Sequence, residues 1–195
     1  MIFLFNRLLF IIILSSTSKI TLSHEFWIDP VNFYIKDNEI LKANIIIGEN
    51  YEGSKIAFSK KDFKNLKLHS KNDSLKIKGR LGDIPAINIK KPFTGLNIIQ
   101  IESEMNYVDY EGLLKFEVFS RKKGYRDLIK KHKDKNYPEN FVESYKRYAK
   151  SLVSVDTFDG TDVDTNMELE FIFLDNPIKK LDEPKKILLE YQNKI

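Results

Sequence analysis

Three histidines and no cysteine set the limits of the chemistry open to this 195-residue chain. With no thiolate available, a soft or borderline metal has to be held by imidazole, carboxylate, backbone or a terminal amine. The stretch Ser23-His24-Glu25-Phe26-Trp27-Ile28-Asp29-Pro30 suits that task, because residues 1–23 before it read as a secretory signal peptide. Arg7 lies before the apolar run Leu8 to Leu14 (LLFIIIL), and the small residues Thr21 and Ser23 precede the expected cut. A cut after Ser23 makes His24 the first residue, so that its free amine and imidazole form a two-toothed chelate for nickel, cobalt, copper or zinc. A terminal amine has a reference pKa of roughly 7.7 to 8.0, so the ion displaces a proton at neutral pH. The competing reading of residues 1–23 is an uncleaved membrane tether, against which stands an apolar run shorter than the roughly 20 residues that span a bilayer.

The other candidate groups are spread along the chain. His132, one turn after Ile129 on an expected helix, is the second metal candidate; His69, among lysines at a strand end, reads as surface polar. Glu143, Tyr145 and Arg147 offer a carboxylate, a phenol and a guanidinium to a polar ligand, with Glu143 and Arg147 paired at i,i+4 if the segment is helical. Arg80 and Asp83 in Gly79-Arg-Leu-Gly-Asp83 read as a loop staple or a weak ligand site. No nucleophile elbow, phosphate loop or zinc-protease helix motif is present in the sequence, so the expected role is non-enzymatic.

The elements that must position these groups follow from periodicity. From Phe26 to Ser103 short apolar alternations are separated by turn residues, the pattern of a mainly β, antiparallel β-sandwich. Strands are expected near 32–35, 40–47, 55–59, 63–69, 75–78, 86–89 and 97–102. Helical spacing then predicts an inserted helical hairpin, with one helix near 113–133, bent or broken at Gly124, and a second near 138–153 built on Phe141, Tyr145, Tyr148 and Leu152. The carboxylate-rich loop Asp156 to Asp164 does not match the calcium-loop template and reads as solvated. Met167 to Leu174 and Lys185 to Tyr191 read as strands, the last with no later segment to pair with. Domains are thus expected as a signal peptide at 1–23, a sandwich at 24–177 and the start of a second β domain at 178–195. Removal of residues 1–23, which hold Arg7 and Lys19 and no acid, lowers the formal charge from +4 to +2. The cations are spread over the surface without a basic stripe, which argues against nucleic acid as a partner.

Taken in order, several segments resemble a family of exported bacterial proteins of largely undefined function, related to the periplasmic components of nickel and cobalt uptake systems (NikM-like). They are His24 to Pro30, Gly48-Glu49-Asn50-Tyr51-Glu52-Gly53, Gly79 to Ala86, Lys115-Phe116, Glu143 to Leu152, Leu169-Glu170 and Asn176-Pro177. The resemblance implies a periplasmic β-sandwich with an inserted helical hairpin and a small second β domain, of which 178–195 would be only the beginning. It also implies a metal-binding or metal-delivery role centred on His24, with a membrane permease as partner. Two other readings are open. One is an interaction module that docks on a permease or another exported protein through its helices or its last strand. The other is copper chemistry at a histidine brace, which needs a second histidine beside His24.

Overall fold

The computed structural model describes residues 24–192; the expected signal peptide at 1–23 lies outside them. Two antiparallel sheets face each other across one core. The first holds β1 (Glu25–Pro30), β3 (Leu41–Glu49), β4 (Glu52–Ile56) and β7 (Ile87–Ile89), with β3 central to β1, β4 and β7. The second runs in the order β2-β11-β8-β5-β6, built from β2 (Tyr34–Ile35), β5 (Phe63–His69), β6 (Ser74–Lys76), β8 (Gly95–Ser103) and β11 (Tyr148–Val155). Among the described strands only β2 joins in parallel. Alternation does the sorting: Ile28, Leu41, Ala43 and Ile45 point inward from one sheet to meet Leu66, Leu68, Ile99, Ile101, Val153 and Val155 from the other. The antiparallel β-sandwich expected from the sequence is therefore the observed fold.

An excursion leaves the sandwich after β8. It comprises a ribbon of β9 (Asn106–Asp109) and β10 (Val142–Tyr145), with α1 (Leu113–Lys122) and α2 (Leu128–Asp134) between them. Gly124, at φ 76°, sits just past the end of α1 and separates the helices, as its position in the sequence suggests. Tyr110, Phe116, Phe119, His132 and Phe141 form its aromatic centre, with Phe116 stacked on Phe141 at 4.7 Å. Two helices are thus inserted, but both fall within 113–134.

The helix expected over 138–153 does not form; that stretch holds β10 and β11. Its apolar spacing imitates a helix because both faces of β11 are covered, so the alternation that marks a half-exposed strand is erased. Ala149, Val153 and Val155 enter the main core, while Leu152 packs on the opposite face with Leu96 and Ile98. Below that face lie β12 (Leu169–Phe173) and β13 (Ile187–Tyr191), paired antiparallel from Leu169↔Tyr191 to Phe173↔Ile187. The tail expected to lack a pairing partner is the second strand of this hairpin.

Candidate functional site

Two of the marked segments meet at one end of the first sheet. Glu25 pairs with Gly48 and Trp27 with Ile46, so the chain at His24 enters β1 opposite Glu49, and Glu49 in turn pairs with Glu52 across the β3–β4 hairpin. Phe26 and Ile28 anchor β1 in the core, leaving Glu25, Trp27 and Asp29 on the outer face. At the hairpin tip Asn50 and Tyr51 adopt φ 54° and 64°, the left-handed pair of a tight two-residue turn that suits asparagine and strains tyrosine. The Tyr51 ring is 89 % exposed and makes an edge contact with Trp27 at 6.3 Å. A Cβ on Gly48 would stand 1.9 Å from the Glu52 carbonyl, so only glycine permits the two strands to close here. The result is an exposed histidine just ahead of β1, opposite the end of a hairpin that carries Glu49 and Glu52, with the Trp27–Tyr51 ring pair on the other face of the sheet. Among the described residues no three His, Cys, Asp or Glu side chains already converge as a metal cage.

The other histidines are engaged elsewhere. His132 Nε2 lies 2.7 Å from the Pro138 carbonyl, to which it must donate, and its ring packs 4.5 Å from Phe141 and 5.4 Å from Tyr137. It points into the aromatic centre of the excursion and not toward the sandwich, with one nitrogen already spent. His69 Nε2 donates to Gln100 Oε1 at 2.7 Å.

Glu143, Tyr145 and Arg147 are brought together, though not as a helical triad. In extended chain positions two apart share a side. Glu143 accepts a short hydrogen bond from the Tyr110 hydroxyl, and Arg147 lies 4.5 Å over the Tyr145 ring with Nη1 donating to its hydroxyl at 3.2 Å. Burial, reinforced by the facing Glu143 carboxylate, pushes the Tyr110 hydroxyl far above the usual tyrosine range. The Glu143–Arg147 ion pair expected at i,i+4 is replaced by these two separate contacts. Arg80 and Asp83 do form a loop staple. The Arg80 backbone N–H donates to Asp83 Oδ2 at 2.9 Å, the chief cause of a lowered Asp83 pKa, and the guanidinium stands 3.3 Å from Oδ1.

A buried ionic network lies under the outer face of the second sheet, where the sequence suggests a solvated loop. Lys150 Nζ reaches Asp162 Oδ1 at 2.9 Å, Glu170 Oε2 at 2.8 Å and the Val163 carbonyl at 2.8 Å; both carboxylates are fully enclosed. Glu170 also accepts from Thr165 and Met167 N–H groups, and Asp162 from Phe173 N–H. Gln100 ties the Thr165 carbonyl to His69. These bonds clamp the 156–168 loop and β12 onto β8 and β11. The one sequence signal for it is a lysine between apolar residues in Tyr148 to Val155. Nearby, a bulge in β5 aims both Lys64 and Asn65 at Glu102, at 2.8 and 2.6 Å. Although burial raises the Glu102 pKa, those two bonds outweigh it and hold the carboxyl below the usual range.

By fold this is a two-sheet antiparallel sandwich with an α-helical excursion, a polar strand-end site and an appended β-hairpin. The chain belongs to the family described as "Domain of unknown function (DUF4198)", whose model matches residues 21–187. No curated protein and no solved structure matches the chain. The family description names no metal, activity or partner.

Proposed function

We propose that this is an exported, non-enzymatic metal-binding domain in which His24, as first residue after removal of 1–23, grips a divalent transition metal through its amine and imidazole. Glu49 or Glu52 supplies a third ligand from the neighbouring hairpin. What supports this reading is the strand register: Glu25 pairs with Gly48 and Glu49 with Glu52, so His24, the residue before β1, continues toward the exposed end of that hairpin. An amine, an imidazole and a carboxylate suit nickel, cobalt, copper or zinc, and an open, shallow site suits delivery to a membrane permease in the periplasm.

Calorimetry with nickel, cobalt and copper on the chain beginning at His24, beside a chain carrying one extra alanine before it, tests the reading. Converting the His24 amine to an amide in this way is expected to weaken binding at least about tenfold, or about 1.4 kcal/mol. Equal affinity in the two chains, or none in either, overturns it. An interaction module is the second reading, and the exposed apolar face of the β12–β13 hairpin favours it.

A further inference from the structure

The β12–β13 hairpin has an open edge whose sequence is complementary to itself. Among the described residues β13 is paired on one side only. The Lys186 carbonyl accepts from Leu174 N–H and Gln192 N–H donates to the Glu168 carbonyl, so the backbone groups of even-numbered residues face β12. Those of Ile187, Leu189 and Tyr191 therefore face outward, ready to form a second ladder. The side chains of these three, 48 %, 54 % and 52 % exposed, join Phe171 and Leu169 on one apolar surface.

We propose that β13 pairs antiparallel with β13 of a second copy about a twofold axis through Leu188, joining two hairpins into one four-stranded sheet. In this register Ile187 and Leu189 of each copy exchange N–H to carbonyl hydrogen bonds with Leu189 and Ile187 of the other, using the outward-facing groups. The alternating positions are non-hydrogen-bonded pairs, in which side chains approach more closely. There Leu188 meets its own copy, and Lys186 stands opposite Glu190 twice, once on each side of the axis. Charge selects this register: shifting the axis to Leu189 preserves the backbone pattern but sets Glu190 against Leu188 and Lys186 against Gln192. Neither Lys186 nor Glu190 has a side-chain ion pair among the described residues that would compete. Apolar contact supplies attraction, and the two opposed charge pairs fix alignment.

Analytical ultracentrifugation of the chain from His24 to Ile195, at concentrations up to about 100 µM, tests this at the weak end of specific association. The expected result is a reversible dimer, weakened about tenfold by Glu190→Lys or Lys186→Glu and restored when the two reversals are combined. Near-UV circular dichroism verifies that each variant is folded. Because the chain has no cysteine, Leu188→Cys gives a second measurement: it should crosslink across the axis on oxidation, while Ser70→Cys should not. A wild-type chain that stays monomeric overturns the proposal, as does a dimer indifferent to either single reversal. Failure of the double reversal to recover, or a dimer that Leu188→Cys cannot crosslink, places any interface elsewhere and overturns it too.

Discussion

Tyr110 and Tyr148 each donate a hydroxyl hydrogen to a glutamate, Glu143 and Glu168 respectively. In both, burial first and the facing carboxylate second hold the proton on the oxygen, raising the pKa well beyond the ordinary tyrosine value. A raised folded-state pKa gives a stability contribution that is whole below the unfolded tyrosine pKa of about 10 and is lost as pH rises above it. Ultraviolet titration of tyrosinate is therefore expected to show two of the nine tyrosines resisting ionisation until the chain unfolds in alkali. Glu143→Gln should return one of them toward normal. Nine tyrosines ionising together in the native protein would contradict these contacts. At this scale sequence reasoning succeeded where partners are close along the chain, as for Arg80 and Asp83, three residues apart. It failed for Tyr110 and Glu143, which are separated by the whole helical excursion.

Gly48 and β11 show the same division for elements. The strand at 40–47 is legible because a strand-forming run is stopped by Gly48, local chemistry that needs no distant partner, whereas the turn falls at Asn50-Tyr51 and Glu52-Gly53, expected as a separator, opens β4. Gly48→Ala puts a methyl group into the Glu52 carbonyl, and relief requires the backbone to part. The expected cost is about 1–3 kcal/mol, measured by urea denaturation, and, on the proposed function, weaker metal binding as the hairpin end that carries Glu49 and Glu52 shifts. Unchanged stability and affinity would show that the close approach is unimportant. For β11 the local pattern misleads. Lys150, Ser151 and Ser154 are enclosed, since ion pairs on one face and core on the other cover both sides, so the polar residues cease to mark a solvent face. What reads as a helical stripe is a strand buried on two sides.

Across the whole molecule, Lys150 is the point where the sandwich, the acidic loop and the terminal hairpin are fastened together. Lys150→Ala leaves two enclosed carboxylates without their cation, and should cost about 3–5 kcal/mol, read as a lower denaturation midpoint. A loss below about 1 kcal/mol would mean the loop is held mainly by its apolar contacts.

By itself the sequence determined the mainly β class, most strands of the two sheets, the break at Gly124 and the absence of thiol chemistry. These rest on local periodicity, turn residues and residue inventory, which are written along the chain. Only the tertiary structure decided that 148–155 is a strand, that Asp162 and Glu170 are enclosed around Lys150, that His132 is spent on the Pro138 carbonyl, and that β1 pairs with β3 from Glu25↔Gly48. Each of these depends on what covers a face or pairs with an edge. That is set by segments tens of residues away, and no local spacing records it.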